Sequence, residues 1–182
     1  MDRSPQQVYS ELLVLRCQRG EREAFAQLVE LWQSRLLGQA ISLCGERELA
    51  LDVLQDSWLA IARGLSRLQD PASFPAWSYR ILRNKAADAI GRISRERGRS
   101  ADSDTEATAA ALDADDPQLE ELRLAIRQLP DAERELLRLH YMDGLSLADI
   151  SGVLAIPAGT VKSRLFKART RLRRQLEGAE HD

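Results

Sequence analysis

Apolar residues recur along most of the chain at spacings of three and four, the period of an amphipathic helix, and no useful length of strand-like alternation interrupts them. Ser4-Pro5 supplies an N-cap followed by proline at the first helical position, and Gly20 a stop. A second helix is expected over about 22–44, ending at Gly45, and a third over about 46–65, with Leu51, Leu54, Trp58, Ile61 and Leu65 as its apolar stripe. The stretch SRLQDPASFP then breaks the pattern with two prolines, and Pro75 opens a fourth helix reaching about residue 93. Further on, one helix is expected over about 117–128, and another opens at Pro130, runs to Met142 and ends at Asp143-Gly144. Ser146 caps a helix over 147–154, Ala155-Ile156 forms a tight turn, and Pro157 begins the last helix. Two helices joined by so short a turn, the second strongly basic, outline a helix-turn-helix.

On that last helix Val161, Leu165, Ala168, Leu172 and Leu176 form one apolar stripe, expected to pack on the two helices before it. The opposite side carries Lys162, Ser163, Phe166, Lys167, Arg169 and Arg173. Phe166 lies off the stripe, among cations. An apolar ring there can touch a thymine methyl, while Lys162 and Ser163 can reach base edges. Arg164, Lys167, Arg169, Arg171 and Arg173 can neutralise phosphates, which makes binding salt-dependent, and the helix start around Gly159-Thr160 offers free N–H groups to a phosphate. A solvated basic face would carry the same charges. The short preceding helix, the turn, Pro157 and the misplaced Phe166 together favour a DNA reader.

Charge changes the picture because it is segregated. The net charge is −2. Yet 101–122 holds eight acids and no base, 79–99 holds seven bases against two acids, and 159–176 holds seven bases and no acid. The first of these stretches falls largely within a polar segment, about 95–116, too poor in large apolar groups to offset its ordering entropy, and reads as a flexible acidic linker. The fold class is therefore all-α: an N-terminal helical bundle at 1–95, a linker at 96–116, and a C-terminal helix-turn-helix domain at 117–182. Composition agrees, with 44 % apolar residues, few aromatics and sparse Gly and Pro. No run of about 18 apolar residues spans a membrane, and the first residues lack a signal-peptide pattern, so a cytoplasmic location is expected. Cys17 and Cys44 sit in apolar helical patterns and read as buried free thiols. With no CxxC and only two histidines, His140 and His181, neither a metal nor a cofactor is expected. GxxxxGK[ST], HExxH and GxSxG are missing from the sequence, which argues against an enzyme.

The stretch LPDAERELLRLHYMDGLSLADISGVLAIPAGTVKSRLFKARTRLRRQL closely resembles the C-terminal DNA-binding region of sigma-70 family sigma factors, most of all the extracytoplasmic-function (ECF) group. GTVKSRLFKAR is its most specific piece. DVLQDSWLAIARGL resembles the helix by which these factors grip the polymerase clamp, and FPAWSYRILRNKAADAIGR the segment that melts and reads the downstream promoter element. The resemblance covers roughly 21–176. It implies that Asp52, Gln55, Asp56 and Leu59 meet core RNA polymerase. It implies that Phe74, Trp77, Arg80, Arg83, Asn84 and Lys85 hold the melted non-template strand at the −10 element, beside a base pocket built by the loop 66–74. It implies that Thr160, Lys162, Ser163, Arg164, Phe166, Lys167, Arg169 and Arg173 contact the −35 duplex. An independent physical reason supports the second set: unstacked bases need aromatic platforms and cations, and Phe74, Trp77 and Tyr79 interleave with Arg80, Arg83 and Lys85. Trp77 also shares a face with Ile81 and Leu82, so a core role stays open. The implied partners are core polymerase and promoter DNA, with an anti-sigma factor as a further candidate. The alternative is a helix-turn-helix regulator acting alone on DNA. Two departures from the family's usual pattern stand out: Asp149-Ile150-Ser151 in place of Glu-Ile-Ala, and Ala155 where the turn usually carries Gly.

Overall fold

A long apolar-periodic stretch without proline, closed by Gly45, folds as one helix, α2 (Arg22–Cys44), and Gly45 ends it in the left-handed conformation at φ 73° while its N–H donates to the Ile41 carbonyl. The structure, a computed structural model, describes residues 5–97 and 117–179. Ser4, His181 and most of the expected linker lie outside the described residues. Contacts divide the chain into two compact units, Met1–Ala109 and Ala110–Asp182.

In the first unit α2 packs with α1 (Pro5–Gln18), α3 (Arg47–Gly64) and α4 (Phe74–Arg97). Short 3-10 turns at Leu65–Arg67 and Pro71–Ser73 link α3 to α4. Trp32 of α2 stands at the centre of the core, its ring 5.8 Å from Phe74 and 6.4 Å from Tyr79, in the edge-on arrangement that aromatic quadrupoles prefer. Its indole N–H donates to the Ser10 hydroxyl at 2.9 Å, so a buried donor is satisfied from α1. Leu13, Val14, Leu28, Leu36, Ile61 and Leu82 complete the apolar interior.

The inward face of α3 differs from the expected stripe. Leu51 is 43 % exposed. The buried row is Ala50, Val53, Leu54, Ser57 and Ile61. Ala50 and Ser57 are small, so neighbouring helices can approach closely, and the Ser57 hydroxyl is satisfied by donating to the Val53 carbonyl at 2.6 Å. A count of large apolar residues passes over such positions. Cys17 and Cys44 are free but half-buried, not buried. Even so, desolvation pushes both thiols up, which favours the protonated, less reactive form at neutral pH.

The second unit comprises α5 (Pro117–Arg127), α6 (Asp131–Leu137), α7 (Leu147–Leu154) and α8 (Ala158–Ala179). The single helix expected from Pro130 to Met142 changes winding at Arg138, and Arg138–Met142 form a π turn. The Asp143 N–H reaches back five residues to the Arg138 carbonyl, at 3.0 Å. This winding buries Leu139 and leaves Tyr141 and Met142 exposed.

At the start of α7 the Asp149 N–H donates to the Ser146 hydroxyl and the Ser146 N–H donates to the Asp149 carboxylate, both at 3.1 Å. This is a closed capping box. Aspartate at this departure from the family pattern therefore keeps the local function of the glutamate. At the other end Ala155 adopts φ 53° and ψ 41°, the one non-glycine residue at positive φ among the described residues. Ser151, part of the first departure, supports this turn: its hydroxyl donates to the Ile156 carbonyl at 2.6 Å. Replacing Ala155 by Gly removes the Cβ strain at some entropic cost, so Ala155→Gly is expected to stabilise this unit by up to about 1 kcal/mol. Denaturant unfolding followed by circular dichroism measures it, and a loss of stability would contradict it.

Candidate nucleic-acid interface

Val161, Leu165 and Ala168 of α8 are buried against α6 and α7, with Leu172 and Leu176 partly covered, so the apolar stripe fixes which side of the helix faces outward. That outer side exposes Lys162, Ser163, Arg164, Lys167, Arg169 and Arg173, and Thr160 is half-exposed at the helix start. Phe166 is 69 % exposed, with its ring standing among the cations of this face. The Ser163 hydroxyl donates to the Thr160 carbonyl at 3.0 Å. Its proton is thus engaged, and its oxygen is left to accept from a base amino group. Arg171 is committed within the unit, pairing with Glu133 of α6 at 3.0 Å. Arg173 pairs through Nε with Glu177 one turn on, at 2.7 Å, which leaves its two terminal NH2 groups as donors.

On α3, Asp52, Gln55, Asp56 and Leu59 all lie on the exposed side, with Leu59 49 % exposed. Leu51 joins them: 51, 55 and 59 follow one row of the helix, so two leucines stand among the two carboxylates and the amide. Leu51 was missed as a surface candidate because its spacing fitted the apolar stripe equally well.

On α4 the expected set separates. Phe74 is fully buried, its ring between Trp32 and Trp77. It is a core residue and offers no face to a base, which corrects the expectation that it binds a strand. Tyr79 is buried in the same cluster. Trp77 is half-buried and lies against Gly64, where an added Cβ would stand 2.9 Å from its ring. Arg80 and Asn84 are exposed, while Arg83 and Lys85 are half-buried. In the loop before α4, Ser66, Arg67, Gln69, Asp70 and Ala72 are exposed. Among the described residues no cluster could hold a metal ion, and no helix is long and apolar enough to cross a membrane.

A short capped helix, a left-handed turn and a basic helix with its outer face uncovered define a helix-turn-helix DNA-binding protein. Comparison with known proteins narrows the class. Residues 28–96 match the model of Sigma-70 region 2, and residues 119–172 match that of Sigma-70, region 4. The RNA polymerase sigma-H factor of Pseudomonas aeruginosa is 33 % identical over 94 % of this chain and 95 % of its own length. The ECF RNA polymerase sigma-E factor of Escherichia coli strain K12 is 30 % identical over 90 % of this chain and 92 % of its own. Among solved structures, the sigma factor RpoE in complex with the anti-sigma factor NepR from Bartonella quintana superposes with a TM-score of 0.72 at 27 % identity, covering 84 % of this chain and 96 % of that one. The chain belongs to the sigma-70 family of RNA polymerase sigma factors, in its ECF group.

Proposed function

We infer that this chain binds core RNA polymerase and directs promoter recognition, DNA melting and transcription initiation. The observation that carries this reading is the presence of region 2 and region 4, in that order, in a chain spanning nearly the full length of its relatives. The exposed row of α3, acidic with two leucines, docks on the polymerase. The outer face of α8 enters the major groove at the −35 element, with Lys162, Ser163 and Phe166 at base edges and Thr160, Arg164, Lys167, Arg169 and Arg173 along the phosphates. Arg80, Asn84 and the half-buried Trp77, with Arg83 and Lys85 behind them and the loop 66–74 beside them, hold the non-template strand of the −10 element. The protein works in the cytoplasm with the polymerase and performs no bond chemistry of its own. A protein that covered the outer faces of α3 and α8 would silence it. The complex formed by the solved relative supports an anti-sigma factor as such a partner.

Purified chain and core polymerase on a randomised promoter library, with the transcripts sequenced, test the reading. Discrete starts sharing two spaced upstream motifs are expected. Specific duplex binding without any binding to core polymerase would leave a regulator acting alone. On the recovered promoter, Phe166→Ala is expected to cost about 1–2 kcal/mol at one −35 position and to relax preference there. Arg169→Ala should instead weaken all sequences alike and lower the salt slope by about one. Transcription titrated against salt over −35 variants separates the two behaviours.

A further inference from the structure

The loop between α3 and α4 is held from outside at its first end. The side-chain amide of Gln18, at the end of α1, uses both its hydrogens: Nε2 donates to the Leu65 carbonyl at 3.0 Å and to the Leu68 carbonyl at 2.7 Å. These carbonyls lie at the start and the exit of the 3-10 turn Leu65–Arg67, where the chain leaves helical geometry and Leu68 turns extended. Gln18 itself is half-buried, and α1 packs against both turns of the loop. The other end is fixed locally, by the Asp70 carboxylate accepting from the Ala72 N–H at 3.0 Å and from the Ser73 hydroxyl at 3.1 Å. Between the two ties Gln69 is exposed. The region 2 match begins at residue 28, so α1 and Gln18 lie outside it.

We propose that Gln18 is a positioning residue for the −10 loop. By bridging two carbonyls it sets the shape of the loop before DNA arrives, and so favours capture of an unstacked base. This rests on the reading of 66–74 as part of the strand-binding surface. The physical reason is preorganisation. Fixing loop residues carries an entropic cost, and a loop already pinned in the folded protein does not incur that cost on binding. A glutamine suits the task because a single amide donates twice: to the Leu68 carbonyl, and to the Leu65 carbonyl, whose second lone pair is free beside the 3.2 Å bond it accepts from the Leu68 N–H.

The test uses holoenzyme reconstituted from the full chain and core polymerase, on a promoter recovered from the library, with thymine reactivity to permanganate as the measure of opening. Gln18→Met keeps the length of the side chain and removes both donors. It is expected to lower open-complex yield about tenfold, the scale that two net hydrogen bonds sustain, and to blunt discrimination among −10 variants. Core affinity should stay unchanged. Gln18→Lys keeps N–H donors at similar reach and is expected to recover most of the opening, which a mere packing role would not predict. Hydrogen exchange at the amides of 68–70, 72 and 73 should rise in Gln18→Met alone. Gln69→Ala serves as the control for the loop reading. If Gln69→Ala impairs opening and Gln18→Met does not, the brace is overturned while the loop reading stands. If neither affects opening, the loop reading itself falls, and the proposal with it.

Discussion

A chain carrying Asp52→Lys and Asp56→Lys is expected to bind core polymerase at least about 100-fold more weakly, the scale on which charge reversal at a docking face acts. Both carboxylates are exposed on the outer side of α3, one helical turn apart. Neither belongs to the buried row Ala50, Val53, Leu54, Ser57 and Ile61, so the fold does not depend on them. Exposed substitutions of this kind usually shift stability by no more than about 0.5 kcal/mol. Helical content and melting should therefore match the parent chain while transcription is lost. Competition against labelled parent chain for core polymerase measures the effect. Unchanged core affinity in the double variant would remove α3 as the docking face. Because Leu51 and Leu59 flank the carboxylates, raising salt should weaken the parent interaction without abolishing it: the charges are screened and the leucines are not.

Phe74→Ala is expected to damage folding rather than recognition. The ring is fully buried, edge-on to Trp32 and tilted against Trp77, at the point where α4 begins. Truncating a buried phenylalanine costs about 3–5 kcal/mol, a large share of what holds a domain of this size together. Denaturant unfolding of the first unit should shift to much lower concentration, and strand opening should fail because the unit is not folded. Phe74→Leu, which refills most of the volume, should recover much of both. A stable Phe74→Ala protein that still docks on polymerase but cannot open a promoter would instead return Phe74 to the DNA surface.

The contrast between Phe74 and Phe166 marks where the sequence could be read and where it could not. Phe166 departs from the period of its own helix, and that local departure is enough to put it outside. Phe74 stands at the beginning of a helix, beside prolines, and its neighbours in sequence do not reveal that Trp32 will cover it. Element ends marked by Gly45, Ser146 or Pro157 were legible because caps and stops are local chemistry. The choice of Ala50 over Leu51 as the inward residue was not, since small buried residues carry no hydrophobic signal. The π winding at Arg138–Met142 was hidden for a related reason: one residue per turn more or less scarcely alters a pattern only five residues long. Gln18 left no trace at all, because its partners stand 47 and 50 residues away. In the clamp-like helix and in the basic helix, by contrast, the residues that the family resemblance implies are all exposed, except the half-exposed Thr160.

The aromatic cluster has a consequence for how the chain can be watched. All three tryptophans, Trp32, Trp58 and Trp77, lie in the first unit. Indole emission is therefore supplied by the first unit alone, and the second unit has no tryptophan of its own to report the fraying or docking of α8. Ellipticity, summed over every helix, sees both. A denaturation in which the two optical signals part company would give the stability of each unit separately, from one unlabelled sample.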